Sequence, residues 1–249
     1  MLLYTSTGVK FMKNIIITGA GDGVGKAVAT MLKKENLILV DIEKENVEKV
    51  AKTLGQKSFV CDVADTNQVK KLTNFVLKTF DKIDCLINCA GMWTKGELSQ
   101  LGIEHYAKIN DLNRIKQLID TNIFGIIAMI SEFSPIMIKQ NFGQIININS
   151  QSGVEIEEFC PIYNASKHGS YAFRKAIQRD LAKHNVKITD VCPGLIKTNF
   201  YVRANDKLPD EIMCLGLEPE DVAKTIIYVM NLPHEITIPS IEIRNIKNY

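Results

Sequence analysis

The sequence predicts an α/β fold, a doubly wound parallel sheet of about seven strands with helices on both faces. Three observations carry this reading. Short β-branched runs alternate with segments whose apolar residues recur every three or four positions. The runs are apolar on both faces, as strands covered by helices on either side must be. The first run ends in a cluster of glycines that opens a helical segment.

Ile15-Ile16-Ile17 is the first run and stops at the cluster Gly19 to Gly25. Leu37 to Val40 follows and is ended by Asp41. Ser58-Phe59-Val60, Cys85-Leu86-Ile87, Ile145 to Ile148 and Ile188 to Cys192 continue the series, and Ile236 to Ile243 alternates Ile, Thr and Glu near the C-terminus. Between the runs, apolar spacing predicts helices over Val24–Lys34, Lys44–Thr53, Asn67–Phe80, Leu112–Gln140, Ile162–His184 and Pro219–Met230. Asp65-Thr66 supplies a start for the third of these and Glu218-Pro219 for the last.

With 249 residues, 46% of them hydrophobic and 23% charged, the chain is sized for one domain over residues 1–249. It contains no repeat, low-complexity tract or linker. Residues 1–12 precede the first run and read as an extension. A net charge of +2 offers no bulk attraction to nucleic acid. No apolar run reaches the ~18 residues of a membrane span, so no membrane partner is expected. The N-terminus lacks a secretory pattern. Six cysteines (Cys61, Cys85, Cys89, Cys160, Cys192 and Cys214) form no CxxC pair and show no zinc-ligand spacing. Reduced thiols in a cytoplasmic protein are expected, and no metal site.

Thr18-Gly19-Ala20-Gly21-Asp22-Gly23-Val24-Gly25 follows a strand and opens a helix, and this placement carries more weight than the glycine count. Gly19 permits a tight turn, Gly23 lets backbone approach a pyrophosphate, and Gly25 lets the helix pack closely on its strand. Asp22 and Val24 lie in the same turn, where the helix N-terminus presents free N–H groups to an anion. The spacing is GxxxGxG. Asp41, at the end of the second run, is placed to accept hydrogen bonds from adenosine ribose hydroxyls and to repel a 2′-phosphate. Asp22 adds a second acid, so the expected cofactor is NAD rather than NADP.

Tyr163-Asn164-Ala165-Ser166-Lys167 matches YxxxK, and so does Tyr171 to Lys175 eight residues later. Context separates them. Ser150 stands thirteen residues before Tyr163, at the end of the Ile145 run, whereas Glu158 stands thirteen before Tyr171.

With these pieces in order, the chain resembles the short-chain dehydrogenase/reductase family over nearly its whole length. The matching residues are Thr18-Gly19-xxx-Gly23-x-Gly25, Asp62-Val63, Asn88-Cys89-Ala90-Gly91, Asn122, Ser150, Tyr163-xxx-Lys167 and Pro193-Gly194-Leu195-Ile196-Lys197-Thr198. The resemblance implies a catalytic set of Asn122, Ser150, Tyr163 and Lys167. Tyr163 is the acid–base group and Lys167 lies one helical turn along. A unit positive charge ~4 Å from the phenol, at an effective dielectric of ~20, is worth about 4 kcal/mol, or roughly three pKa units. By the same resemblance Ser150 donates to the substrate oxygen, Lys167 holds the nicotinamide ribose, and Asn122 anchors a water that relays protons to Lys167. Asp62 and Val63 contact adenine, while Asn88, Ala90 and Gly91 wall the cofactor. Pro193, Gly194, Ile196 and Thr198 lie along the segment that fixes the carboxamide.

The resemblance further implies a substrate lid over residues 199–217 and a homodimer or homotetramer built on the helices Leu112–Gln140 and Ile162–His184. Trp93 stands either at the pocket mouth or in simple packing. Glu155, Glu157 and Glu158, between Ser150 and Tyr163, either disfavour anionic substrates or form a solvated loop. The expected activity is NAD-dependent interconversion of an alcohol and a ketone. The alternatives are NADP use, a cofactor-retaining dehydration or epimerisation, and a non-catalytic NAD-binding sensor or scaffold. Such a sensor usually lacks the tyrosine or lysine, and both are present here.

Overall fold

Ile15, Ile16 and Ile17 leave no apolar face to solvent, because helices cover the sheet on both sides. The computed structural model describes residues 12–93, 111–157, 160–206 and 208–247. Residues 1–11 of the expected extension, and Glu158, lie outside these. Seven strands, β1 (Asn14–Thr18), β2 (Asn36–Asp41), β3 (Lys57–Val60), β4 (Cys85–Asn88), β5 (Gly143–Ile148), β6 (Val186–Pro193) and β7 (Ser240–Ile243), form one parallel sheet. Their order is β3-β2-β1-β4-β5-β6-β7. The winding reverses between β1 and β4, and ligands of such sheets bind outside the carboxyl ends at that point.

Helices α1 (Gly23–Met31), α2 (Lys44–Leu54) and α9 (Pro219–Met230) cover one face. The other face carries α3 (Thr66–Thr79), α5 (Ile126–Gln140) and α6 (Pro161–Ala182), while α4 (Leu112–Ile119) packs Leu118 beside Trp93 and Tyr163. Two short helices, α7 (Phe200–Arg203) and α8 (Asp210–Met213), lie in the expected lid. Asp65 caps α3 as its position predicts, accepting from the N–H groups of Asn67 at 2.8 Å and Gln68 at 3.2 Å.

Four expectations change. Helix α1 ends at Met31 rather than Lys34, because the Glu35 N–H turns back to the Leu32 carbonyl and leads the chain into β2. Burial on both faces holds for the five inner strands, but β3 and β7 are edge strands and are partly exposed. The span Leu112–Gln140 is helical throughout, yet it is not uniform: Asp120–Gly125 forms a π-helical turn between α4 and α5. By length and composition this span is also apolar enough to cross a membrane, contrary to the sequence expectation. Here its apolar side, with Met129, Phe133 and Met137, packs on the sheet.

Candidate active site

The glycine turn, Asp41, Asp62-Val63, Asn88 to Gly91, Ser150 and Pro193 to Thr198 each end or follow a strand, whereas Asn122 and the Tyr163–Lys167 pair are carried on helices. The glycine turn leaves β1 with Gly19 at φ +63°, and a Cβ there would stand 2.8 Å from the Ala90 nitrogen. At Gly25 a Cβ would come within 2.2 Å of the Gly19 carbonyl, so glycine lets α1 close onto the strand. The Thr18 hydroxyl accepts from the N–H groups of Cys89 and Ala90, each at 3.1 Å, and so joins the turn to the segment after β4. Asp22 is the N-cap residue of α1 but makes no side-chain cap. The first-turn N–H groups of α1, which include Val24, therefore have no cap from it.

Asp41 ends β2 as a buried carboxylate. Its Oδ2 accepts from the Gly21 N–H at 2.8 Å and its Oδ1 from the Glu43 N–H at 3.0 Å. It thus braces the turn from the end of β2. Asp62 follows β3 and accepts from the Ala64 N–H at 2.9 Å. Val63 is buried against Gly125 of the π turn, where a Cβ would lie 2.7 Å from its Cγ2. Asn88 sits in the sheet and donates to the Asn147 side chain at 2.9 Å, a supporting role.

Asn122 is fully buried in the π turn, among apolar neighbours that alone would read as core. Its Oδ1 accepts from the Met92 N–H at 2.8 Å, and its Nδ2 donates to the Met92 carbonyl at 2.9 Å and to Ser166 Oγ at 3.1 Å. The amide therefore clamps the segment after Gly91 to α6. A Cβ on Gly91 would lie 3.6 Å from Asn122 Oδ1 and 3.8 Å from Lys167 Nζ, so the three residues share one corner.

Ser150 follows β5, caps the short turn Gln151–Gly153 through the Ser152 N–H at 3.1 Å, and hydrogen-bonds Tyr163. Tyr163 and Lys167 lie one turn apart on α6, with Lys167 Nζ 5.6 Å from the centre of the phenol ring. Lys167 Nζ also donates to the Ile148 carbonyl at 3.1 Å. Burial pushes the Lys167 ammonium down to about 8, against opposing pulls from Asp190, Cys192 and Cys89. The phenol does not show the expected acidity. Burial, followed by Tyr201, raises Tyr163 well above its ordinary value, and the Ser150 hydrogen bond opposes this only in part. The competing Tyr171 points elsewhere: its hydroxyl lies 3.3 Å from Ser240 Oγ on β7.

The phenol is buried in an aromatic cluster with Trp93, Phe200 and Tyr201. The Trp93 ring centre is 4.7 Å from that of Tyr163 and 5.1 Å from that of Tyr201, and Phe200 packs beside all three. The indole Nε1 donates to Asp206 Oδ2 at 3.1 Å. Trp93 is thus packed in a buried aromatic cluster, which favours the simple-packing reading. Pro193 ends β6, and the Gly194 N–H donates to the Ile243 carbonyl at 2.9 Å. Ile196 bridges Leu217, and Thr198 lies over the glycine turn, 3.3 Å from where a Gly23 Cβ would stand. Asp22 accepts from Asn199 Nδ2 at 3.2 Å and Arg203 Nη2 at 3.1 Å. Glu155 pairs with Arg244 at 3.0 Å, which favours the solvated-loop reading for that acid. The sequence reading missed Asp206, Arg174 and Asp190, whose partners stand far off in the chain.

The family model described as short chain dehydrogenase matches residues 13–209. An uncharacterized oxidoreductase of Staphylococcus aureus (strain USA300) is 30% identical over 237 residues, covering 93% of this chain and 96% of the relative. Among solved structures, a serine dehydrogenase complexed with NADP+ superposes with TM-score 0.84 at 24% identity, covering 95% of this chain and 96% of that one. A 3-ketoacyl-(acyl-carrier-protein) reductase from Brucella melitensis complexed with NADH superposes with TM-score 0.85 at 20% identity, covering 96% and 99%.

Proposed function

Because the chain belongs to the short-chain dehydrogenase family, we propose that it is an NAD-dependent oxidoreductase that interconverts an alcohol and a carbonyl compound. The observation that carries this reading is the meeting of Ser150, Tyr163 and Lys167 beside the glycine turn, at the reversal point of the sheet. The turn suits a pyrophosphate: it has the close glycine packing, and the α1 N-terminus has no cap from Asp22. A 2′-phosphate would come against the buried Asp41 carboxylate, with Glu43 and Glu45 next along the chain, and this favours NAD.

Bound at the turn, the dinucleotide supplies the two-electron acceptor or donor. Ser150 donates to the substrate oxygen and holds it against the phenol. Tyr163 takes the hydroxyl proton in the oxidative direction and returns it in reduction. Lys167, held at the Ile148 carbonyl, fixes the ribose and brings positive charge to the phenol. For that charge to act, the aromatic cover must withdraw from Tyr163. Substrate entry therefore displaces Phe200 and Tyr201. The six free thiols suit a reducing cytoplasm, and the exposed Leu112 and Phe124 on the α4–α5 span suit a homo-oligomer.

The test is a panel of alcohols with NAD and then NADP, followed at 340 nm, together with Tyr163→Phe. Turnover falls at least roughly 100-fold in the variant, while NADH binding read by fluorescence persists. Undiminished turnover in the variant overturns the proposal.

A further inference from the structure

Behind the catalytic helix a row of polar side chains crosses the sheet. Register places Thr18, Asn88, Asn147, Asp190 and Ser240 side by side on five neighbouring strands. Asn88 Nδ2 donates to Asn147 Oδ1 at 2.9 Å, and Asn147 Nδ2 donates to Asp190 Oδ1 at 3.0 Å. Arg174 on α6 closes the row, its Nε 3.1 Å from Asp190 Oδ2. Arg174 and Asp190 are only 2% and 1% exposed. A buried ion pair is expensive to desolvate, so its presence under an acid–base helix calls for a reason.

The surroundings supply one. Asn149 Nδ2 donates to the Lys167 carbonyl at 3.3 Å and lies 3.5 Å from Asp190 Oδ2. Lys167 Nζ donates to Ile148, between Asn147 and Asn149. Asp190 therefore grips the end of β5 on which the Lys167 ammonium rests. Lys167 lies by the Tyr163 ring on α6, and the ionisable groups that bear on its charge are Asp190 and Cys192 of β6 and Cys89 after β4. The end of β5 presents the Ile148 carbonyl, and the neutral Asn149 follows it. Asp190 in turn faces Arg174 on α6, and Glu242 of β7 bears on the neighbouring Cys192.

We infer that Asp190, held by Arg174, is the positioning residue of the Tyr163–Lys167 pair: through Asn147 and Asn149 it fixes the Ile148 carbonyl on which the Lys167 ammonium rests. This rests on the proposed role of Tyr163 and Lys167 and adds a residue to it. Asp190 touches neither substrate nor dinucleotide and acts through β5 and Lys167. Its negative charge offsets part of the burial that would strip the ammonium of its proton.

The test reads Lys167 directly in the full chain, by NMR of 13Cε-lysine, with its resonance assigned by its absence in Lys167→Met. Asp190→Asn leaves a buried, unpaired guanidinium and threatens folding, so Asp190→Asn/Arg174→Gln removes both charges together. In the double variant the Lys167 midpoint falls by roughly half a pH unit or more, and in Asp190→Asn, where it folds, it falls further. Asp190→Glu restores it. Where turnover is measurable, the alkaline limb of its pH profile moves to lower pH by the same amount. An unmoved Lys167 midpoint in the folded double variant overturns the inference. NADH binding and loss of turnover in Tyr163→Phe test the underlying reading separately, and stand whichever way the midpoint moves.

Discussion

Arg203 and Asp22 stand 181 positions apart in the chain and meet with Nη2 3.1 Å from Oδ2. One end of helix α7 thus holds the glycine turn while Phe200 and Tyr201, on the same helix, cover the Tyr163 ring. The two halves of the proposed site are closed by one four-residue element.

Breaking that tie loosens the lid without harming the fold. The pair is solvent-accessible on both sides, so its net worth to stability is small. Arg203→Ala is expected to change the melting temperature by less than about 2 °C while speeding both association and release of NADH. Stopped-flow fluorescence checks this. Unaltered rates would show that the ion pair has no part in gating.

Trp93 is the only tryptophan, so selective excitation reports on its surroundings alone. Buried against Tyr163 and Tyr201, it is expected to emit at short wavelength. Tyr201→Ala removes one of its covering rings and shifts emission to the red. Trp93→Phe keeps a ring there but loses the bond to Asp206, which costs about 1 kcal/mol and appears in denaturant melts. Emission indifferent to Tyr201→Ala would place the lid elsewhere in solution.

Asp41 has two jobs in this structure, and a substitution separates them. Asp41→Ala frees the N–H groups of Gly21 and Glu43, which costs stability on the order of 1–3 kcal/mol. The same change removes the charge expected to oppose a 2′-phosphate. The ratio of kcat/KM with NADH to that with NADPH should fall at least roughly tenfold. A ratio unmoved by the change would assign Asp41 to the turn alone.

Stability itself should respond to alkaline pH in two directions. The folded state holds Lys167 at about 8, below its ordinary 10.5, so from about pH 8 upward the unfolded chain binds more protons and stability rises. Burial lifts the thiols of Cys61, Cys85 and Cys192 to about 12 from an ordinary 9.0. Once the unfolded thiols ionise, the folded state binds more protons and stability falls. Urea midpoints are therefore expected to rise slightly around pH 8, crest at about 8.5, where the three unfolded thiols overtake the single lysine, and decline above it. Lys167→Met removes the climb and leaves the decline; a variant that still climbs contradicts the assignment.

The strand runs were legible because a parallel sheet buries both faces, which demands runs such as Ile15-Ile16-Ile17. Tyr163 was separable from Tyr171 because Ser150 stands where a strand must end. The π turn was not legible, since Leu118, Ile119, Ile123 and Ile126 keep an acceptable helical spacing through it. Nor was the Arg174–Asp190 pair: an arginine on a helix ordinarily faces water, and only the packing of α6 on β6 turns this one inward. The phenol's raised proton affinity depends on how deeply the lid buries it, and no spacing along the chain encodes burial.

The wide turn Asp120–Gly125 holds one residue beyond what an ordinary helical pitch would need. Loss of a single codon there would therefore close the bulge into ordinary helix and leave both flanks in their present directions. With α5 anchored on the sheet by Phe133 and Met137, the damage would fall on the bulge itself, and Asn122 would part from Met92 and Ser166. One surplus residue sets that amide apart from the rod that carries it.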